Sequence, residues 1–186
     1  MEIRPLTPRD LDALADLDAT VHSTDYLHVD RHGEGVSSSW KIEPRPLREP
    51  RTMRAVLDDE TAFAIKQIAM QFDDGLALVA EHDEQIVAAL TARPEPTTNV
   101  FRVLDLRVDF DFRRQGLASA MLFQAIQDAR RRELRALFAT ATADNFPAHQ
   151  LLAKLGFEPS GLDTHLNSNH DLVKEAVTIF WYLTLN

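Results

Sequence analysis

Cysteine is missing from this chain of 186 residues, which excludes disulfides, thiolate metal ligands and a cysteine nucleophile. Long apolar runs are missing as well, since no segment approaches the about 20 apolar residues that a membrane span needs. The start of the chain, Met1–Arg4, lacks the charged-then-apolar layout of a signal peptide. These absences predict a cytoplasmic protein that has no membrane partner.

Positive charge is in the minority, because 29 acidic side chains outnumber 20 lysines and arginines and give a formal net charge of −9. This balance disfavours nucleic acid as a partner. It favours a cationic substrate such as a polyamine, an aminoglycoside-like compound or a basic peptide end. The simpler interpretation, that acidity keeps the protein soluble, stays open.

With 45% hydrophobic and 26% charged residues, the composition is typical of one globular domain, taken here as residues 1–186. Thr7, Pro8 and Asp10 have the spacing of a capped helix start. The polar stretch His22–Pro50 is interrupted by glycine and proline, and it is predicted to be a long loop that shapes a substrate pocket.

Hydrophobic periodicity predicts further elements along the chain. In order they are helix Asp59–Phe72, hairpin strands Leu76–Ala80 and Gln85–Ala92, strand Val103–Val108, helix Ser119–Arg132, strand Ala136–Thr142, a helix from Asn145, and strands Leu162–Leu166 and Ala176–Leu185. On periodicity alone this order is compatible with an α/β or an α+β fold.

Residues 113–118 (RRQGLA) form the most specific segment, lying between an alternating strand and an amphipathic helix. Amides at a helix N-terminus lack intrahelical partners and carry partial positive charge, so they bind anions. Gly116 has no Cβ and lets a ligand approach the backbone closely. A nucleotide P-loop is excluded because Gly-Lys-Ser/Thr is absent, and a Rossmann turn needs more glycines.

This segment resembles the Arg/Gln-x-x-Gly-x-Gly/Ala pyrophosphate loop of the GNAT superfamily of acetyl-CoA-dependent N-acetyltransferases. The family's preceding Val-x-Pro pattern corresponds to Val108-Asp109-Phe110, where phenylalanine replaces proline. A second segment, Asn145–Phe157, resembles the family's Asn-x-x-Ala…Tyr-x-Lys-x-Gly-Phe pattern. The resemblance implies the GNAT fold, an α/β fold with a mixed central sheet of about seven strands flanked by four helices.

The resemblance also implies acetyl-CoA as co-substrate, with a set of residues that bind it. Backbone groups of the strand would contact the pantetheine arm and the thioester carbonyl, and the following loop would hold the pyrophosphate. The implied residues are Leu106, Val108, Arg113, Arg114, Gln115, Gly116, Leu117, Ala118, Ser119 and Asn145.

Transfer of an acetyl group to an amine needs a base for the amine and a proton for the leaving thiolate. Asp105 is the first candidate base, because it lies on the polar face of the strand together with Arg107 and Asp109, opposite Leu104, Leu106 and Val108. Alternatively, Asp105 forms a structural pair with Arg107. A bulge in this strand would change which side chains share a face.

The tyrosine that many GNAT enzymes use as proton donor corresponds to Leu152, which cannot donate. Water could protonate the thiolate, or His149 or Tyr182 could substitute; a lone helical histidine is more often a solvated surface residue. The remaining histidines show no metal-ligand spacing, and no metal is expected. The Arg130–Arg132 run could touch a phosphate, but it is typical of a helix C-terminus.

The chain end resembles streptothricin acetyltransferases, in which Gly-Phe, Gly-Leu-Asp and a closing aromatic-Trp-Tyr recur in this order. Here these are Gly156-Phe157, Gly161–Asp163 and Phe180–Tyr182; a core strand explains the last segment equally. The predicted function is N-acetylation of a small, cationic primary amine. The alternatives are a protein or peptide N-acetyltransferase, or a non-catalytic acyl-CoA sensor, and a homodimer is possible in all three.

Overall fold

The structure is a computed structural model that describes residues 1–185. Within them lie four α-helices and nine strands, together with 3-10 turns at Pro8–Asp10 and Phe110–Phe112. In chain order the elements are β1 (Glu2–Pro5), α1 (Leu11–Asp16), β2 (Thr20–Glu34), β3 (Ser37–Arg54), α2 (Asp59–Ala69), β4 (Leu76–His82), β5 (Gln85–Glu95), β6 (Val100–Val108), α3 (Leu117–Arg131), β7 (Ala136–Thr142), α4 (Phe146–Lys154), β8 (Glu158–Asp163) and β9 (Thr178–Thr184).

Seven strands form one sheet in the order β1-β4-β5-β6-β7-β9-β8. The sheet is mixed, because β1, β4, β5 and β6 pair in antiparallel fashion while β6 and β7 are parallel. Together with the four helices, this confirms the predicted fold class.

The described chain divides into two compact units. Unit 1 comprises Met1–Thr20, Arg54–Ala139 and the chain end from Tyr182, and unit 2 comprises Val21–Met53 and Thr140–Trp181. Neither unit is continuous in sequence. Because each unit consists of separate stretches of the chain, no linker marks a boundary in the sequence. The single domain predicted for residues 1–186 stays a prediction.

The core of unit 1 follows from the apolar runs of β4 and β5, which are buried through most of their length. One cluster joins them to the helices before β4; its buried members are Leu6, Leu14, Leu17, Ile65, Ile68, Ala69, Ala77, Val79, Ile86 and Ala89. Helix α3 buries Met121, Leu122 and Ala125 and packs on β5 and β6. Burial of this apolar surface is the main stabilising contribution.

The prediction of a long loop at His22–Pro50 is wrong, because β2 and β3 form a separate two-stranded sheet there. Glycine lies in the connecting turn, where Gly35 adopts a φ of +54°. The prolines of β3 are compatible with this sheet, since a two-stranded ribbon leaves one edge of each strand without a ladder partner. The alternation that marks β2 was hidden by its polar composition.

Smaller boundaries also differ from the sequence predictions. Strand β8 ends at Asp163 and therefore precedes most of the predicted Leu162–Leu166 strand. Helix α2 ends at Ala69, three residues before the predicted end at Phe72, and its apolar residue Phe63 is exposed, as is Phe72. Within residues 1–185, no helix is long and apolar enough to cross a membrane.

Asp10 fixes the start of the first helical segment, as its spacing predicts. Its carboxylate accepts hydrogen bonds from the Thr7 amide (2.7 Å) and hydroxyl (2.8 Å) and from the Arg4 guanidinium (2.8 Å for both oxygens). The Arg4 guanidinium, ahead of the Thr7 groups, holds the pKa of Asp10 far below its ordinary value. The residue is buried, with 7% of its surface exposed.

We expect Asp10→Asn to lower the free energy of unfolding by about 2 kcal/mol at pH 7, because it removes a buried charge-assisted network. A lowered carboxyl pKa stabilises the fold fully above the unfolded pKa and progressively less as the pH falls below about 4. Denaturant unfolding at pH 7 and pH 3 should therefore show a smaller penalty at pH 3. The exposed Asp16→Asn variant is the control and should change stability by less than about 0.5 kcal/mol.

Candidate active site

Strand β6 has one edge that its neighbours cover only in part. On one side β5 pairs with it as far as Val108, while the recorded parallel pairing with β7 involves only Val100–Arg102 within the described residues. The Asp109 amide donates to the Val87 carbonyl at 2.9 Å. Since backbone groups alternate along a strand, those of Leu106 and Val108 point away from β5. The backbone groups of Leu106 and Val108 thus lie at the partly covered edge, and their contact with a ligand stays a prediction.

A bulge interrupts β6 at Leu104, because Thr91 lies opposite Asp105 whereas Ala92 lies opposite Val103. Leu104 packs against the core cluster that includes Ala89, the residue opposite Arg107. The prediction that Leu104 shares a face with Leu106 and Val108 is therefore wrong. The extra residue of a bulge shifts the side-chain alternation, which period-2 patterning does not reveal.

Asp105 forms an ion pair with Arg107. The guanidinium donates to both carboxylate oxygens at 2.7 Å, and the side chains are 15% and 4% exposed. The bond from Asp105 raises the pKa of Arg107. This geometry is the structural alternative named above. Both carboxylate oxygens of Asp105 accept from Arg107, so the catalytic role of Asp105 stays a prediction without support from its contacts.

The turn after β6 is fixed by residues that are distant in sequence. The Asp109 carboxylate accepts from the amides of Asp111 (3.1 Å) and Asp18 (3.2 Å). In return, the Phe110 amide donates to the Asp18 carbonyl at 2.9 Å. Proline has no N–H, so it could not make this last bond. Phenylalanine in place of the proline of the Val-x-Pro pattern thus provides the amide that makes this bond.

Arg113 braces the loop that follows. Its Nε donates to the Val108 carbonyl at 3.2 Å, and its guanidinium lies 5.6 Å from the centre of the Phe110 ring. Burial lowers the pKa of Arg113, although nearby Asp18 and Asp109 oppose this. The side chain is therefore turned back onto β6, where it fixes the loop backbone. The predicted contact of Arg113 with the ligand would then come from its backbone.

The start of α3 has the features of an anion site. Gly116 is its N-cap in the left-handed conformation (φ +85°), and no side chain among residues 1–185 caps this end. A Cβ at Gly116 would meet no atom within 4 Å, so the space beside the loop is open. The first amides of α3, at Leu117, Ala118 and Ser119, have no partner within the helix. They fit the pyrophosphate group that the sequence led us to expect.

The basic run Arg130–Arg132, at the other end of α3, forms ion pairs with neighbouring acidic side chains. Arg131 and Arg132 both bond to Asp128, and Arg132 also pairs with Asp74. A 15-residue helix separates this end from Gly116 by about 22 Å. These contacts support the helix-terminus interpretation of the run over a phosphate contact.

Helix α4 of unit 2 begins as predicted. The Asn145 side chain accepts a hydrogen bond from the Ala148 amide at 3.4 Å and caps the helix, with proline in the first turn. Leu152, at the usual tyrosine position, is buried. A direct contact between Asn145 and a cofactor stays a prediction, since its carbonyl oxygen is used by the helix.

His149 is buried, contrary to the usual behaviour of a lone helical histidine. Its Nε2 lies 2.9 Å from the Thr142 carbonyl, which requires a proton on that nitrogen, and its Nδ1 accepts from the Trp181 indole at 3.0 Å. Burial lowers the pKa of His149 to about 4. Both nitrogens are used and the ring is neutral at pH 7, so this geometry argues against the predicted proton donor.

The three aromatic residues of the closing segment, Phe180–Tyr182, differ in burial and contacts. Trp181 is buried beside His149, whereas Tyr182 of unit 1 packs against Phe138 with ring centres 4.8 Å apart. Phe180 is half-buried. The core-strand interpretation therefore accounts for Trp181, and the contacts of Tyr182 give no support to its use as a proton donor.

Sequence reasoning missed a polar chain on β2. The Tyr26 hydroxyl lies 2.8 Å from His28 Nδ1, and His28 Nε2 lies 2.8 Å from an Asp30 oxygen. The spacing i, i+2, i+4 is that of one face of a strand. It could have been found had the segment been treated as a strand instead of a loop.

A second cluster of unit 2 surrounds Arg51. Its guanidinium contacts the carboxylates of Asp144 (3.2 Å) and Glu175 (2.6 Å) and the Lys174 carbonyl (3.0 Å). Nothing in the sequence pattern links these positions. Within the part of the chain that the structure describes, no group of three or more His, Asp or Glu side chains could hold a metal ion.

Unit 1 also contains a pocket of about 480 Å³ beside α1 and the β4–β5 turn. Its central groups, Arg4, Asp10 and Glu81, already bond to one another. Of the predicted cofactor-binding residues, none lines it. We therefore assign no ligand to this pocket.

The sequence pattern of the acetyltransferase (GNAT) family matches residues 38–157. Among curated proteins, N-acetylaspartate synthetase of Rattus norvegicus is 30% identical over 101 residues, which are 54% of this chain and 34% of the rat protein. The chain thus spans about a third of the length of this relative.

Solved structures with the same fold cover the whole chain. They include a nourseothricin acetyltransferase (22% identity, 98% of that chain, TM-score 0.80) and a Bacillus anthracis protein assigned as a streptothricin acetyltransferase, in complex with acetyl coenzyme A (19%, 97%, 0.74). A third is the ribosomal-protein-S18-alanine N-acetyltransferase of Escherichia coli (17%, 94%, 0.63). At these identities the likeness establishes the fold.

We expect His149→Phe to destabilise the protein at pH 8, because the Trp181 and Thr142 partners lose their hydrogen bonds. The histidine pKa is lowered on folding, so its protonation favours the unfolded state as the pH falls from about 6.5 towards 4. The destabilisation should therefore be about 2 kcal/mol smaller at pH 5 than at pH 8. The exposed His170→Phe variant is the control, and a pH-independent difference for His149→Phe would contradict the buried, neutral assignment.

Proposed function

The chain belongs to the acetyltransferase (GNAT) family, and on that premise we propose that it transfers an acetyl group from acetyl-CoA to a primary amine of a small, cationic acceptor. Family membership agrees with the predictions of the GNAT fold and of acetyl-CoA as acyl donor.

The single observation that most supports acetyl-CoA as the donor is the open backbone at the start of α3. Gly116 holds the turn at a positive φ, and the space where a side chain would lie is empty. The pyrophosphate would accept hydrogen bonds from the amides of residues 117–119, where the helix dipole favours negative charge. The outward-pointing backbone groups of Leu106 and the outward-pointing amide of Val108 would contact the pantetheine arm and the thioester, because the Val108 carbonyl already accepts from Arg113.

The reaction on this framework is direct attack. The neutral amine forms a bond to the thioester carbonyl carbon, the oxyanion collapses, and the carbon–sulfur bond breaks to give an amide and CoA thiolate. A backbone N–H at the β6 edge, such as that of Val108, can stabilise the oxyanion. Because Leu152 cannot donate and His149 is fully bonded, we propose that water protonates the thiolate.

The cationic acceptor is supported by the net charge of −9 and by the pair of carboxylates, Asp144 and Glu175, around Arg51 in unit 2. Peptide acceptors are the second candidate, since a ribosomal-protein N-acetyltransferase shares the fold over the whole chain. The non-catalytic sensor is supported by Leu152 alone. A homodimer and a cytoplasmic location stay predictions.

The testing experiment measures acetyl-CoA-dependent release of free thiol with a panel of amines. The panel contains nourseothricin, streptothricin, aminoglycosides, polyamines, aspartate and short peptides beginning with alanine. We expect turnover with at least one cationic small molecule at about 1 s⁻¹ or more, the lower end of ordinary enzymatic rates. Turnover with peptides alone favours the second candidate, and binding of acetyl-CoA without any turnover favours the sensor.

A matched pair of glycine variants tests the loop. Gly116→Ala and Gly35→Ala both place a methyl group at a positive φ (+85° and +54°) with no atom within 4 Å, so both should lose about 1 kcal/mol of stability from backbone strain. Only Gly116→Ala should weaken acetyl-CoA binding, by 10-fold or more, because its methyl group occupies the ligand's space. Calorimetric titration gives the affinity, and equal affinity in both variants would contradict the loop assignment.

A further inference from the structure

Helix α2 of unit 1 is apolar on its outer face as well as on its core face. Ile65, Ile68 and Ala69 pack into the core cluster of the unit. On the opposite face Phe63 is 63% exposed, and Met70, directly after the helix, is 40% exposed. A surface helix normally carries polar residues on its outer face. The outer face of α2 is therefore suited to contact with another molecule.

Two further exposed apolar side chains lie at the ends of this helix. Val56 precedes α2 and is 77% exposed, and Phe72 follows it and is 75% exposed. We define the α2 patch as Val56, Phe63, Met70 and Phe72, all of which belong to unit 1. Single exposed apolar residues are common on protein surfaces, whereas several together mark interaction sites.

The residues around Phe63 are arranged symmetrically along the chain. Val56 lies seven residues before Phe63 and Met70 lies seven residues after it, so an apolar residue stands at the same distance on either side. Between them, acidic residues precede Phe63 and a basic residue follows it. This order makes the outer face of α2 complementary to the same face running in the opposite direction.

The polar residues of α2 show this complementarity in detail. Asp59 and Lys66 are seven residues apart, about two helical turns, and therefore lie on one side of the outer face. Glu60 and Gln67 have the same spacing and lie on its other side. Asp59, Glu60 and Lys66 are all exposed. When two such helices pack antiparallel, Lys66 of each copy meets Asp59 of the other, and Gln67 meets Glu60.

We propose that the protein forms a homodimer in which the α2 patches of two copies pack antiparallel, with Phe63 of both copies at the two-fold axis. Met70 of one copy then packs against Val56 of the other. Such an interface is isologous, since each contact occurs twice. A parallel arrangement would place Lys66 against Lys66 and Asp59 against Asp59, and this like-charge repulsion selects the antiparallel one.

The apolar area of the α2 patch determines how tightly the copies associate. An aromatic side chain buries about 150–250 Å² when fully covered. Two phenylalanines with the smaller contributions of Val56 and Met70 place the contact below the about 800 Å² per partner of a standard interface. We therefore expect a reversible dimer with a Kd on the order of 10 μM.

Two phenylalanines of similar exposure provide a matched test. Sedimentation velocity from about 1 to about 300 μM protein measures the dimer Kd, because association depends on concentration. Phe63→Glu places two carboxylates at the two-fold axis and should raise this Kd about 100-fold, as expected for a central aromatic residue. Phe123→Glu changes a side chain on α3 that is 58% exposed and should leave the Kd unchanged.

Charge reversal tests the antiparallel arrangement. Lys66→Glu retains the α2 patch but turns both attractive pairs of the dimer into repulsive ones, so the Kd should rise about 10-fold. The double variant Asp59→Lys/Lys66→Glu restores the pairs with the charges exchanged and should return the Kd to within about 3-fold of wild type. A loss of folding would not be rescued in this way.

A protein that stays monomeric up to about 300 μM overturns the proposal and leaves the α2 patch to a partner of different chemistry. A dimer that Phe63→Glu does not weaken, or that Phe123→Glu weakens equally, has its interface elsewhere and overturns the proposal as well. Failure of the double variant to rescue Lys66→Glu contradicts the antiparallel pairing. Thermal unfolding near the wild-type Tm shows that each variant is folded. The outcome is independent of the amine panel, since no acetyl-CoA or acceptor is present.

Discussion

Backbone hydrogen bonding at the end of β6 is the constraint on which the donor side of this protein depends. A strand inside a sheet normally bonds on both edges, and an open edge is a liability that proteins cover or avoid. Here β5 bonds to β6 up to Val108, while the recorded pairing with β7 ends at Arg102. At this edge the Val108 carbonyl accepts from Arg113, and the proposed role of the Leu106 groups and the Val108 amide is to bind the pantetheine arm.

The loop after β6 is held in place by contacts of three of its residues. Arg113 holds the Val108 carbonyl, and Asp109 and Phe110 hold Asp18. The proposed ligand-binding surface is the backbone at Gly116 and the first turn of α3, where the space beside Gly116 is open. Recognition by backbone amides depends little on side-chain identity, and this explains how the loop can be recognised from one glycine and its spacing.

The sequence was most informative where a single local interaction decides the structure. The Thr7–Asp10 capping box, the Asn145 cap, the β4–β5 hairpin and the Gly116 turn are all present as predicted. It was least informative where long-range contacts decide. The β2–β3 sheet is polar in composition, the bulge at Leu104 breaks the alternation, and the Trp181 partner of His149 follows from the tertiary structure. Charged residues that are 93 and 124 positions apart, such as Arg51 with Asp144 and with Glu175, carry no local signal of their association.

The reciprocal bonds between Asp18 and the turn at residues 109–110 have a consequence for how the protein folds. They join positions more than 90 residues apart, and closing so large a loop is entropically costly before the contacts form. Contacts of this separation slow folding. During synthesis, residue 18 must wait for residue 110 to leave the ribosome before either bond can form. The turn after β6 is therefore among the late structures of the folding reaction, although its sequence signal is the most local in the chain.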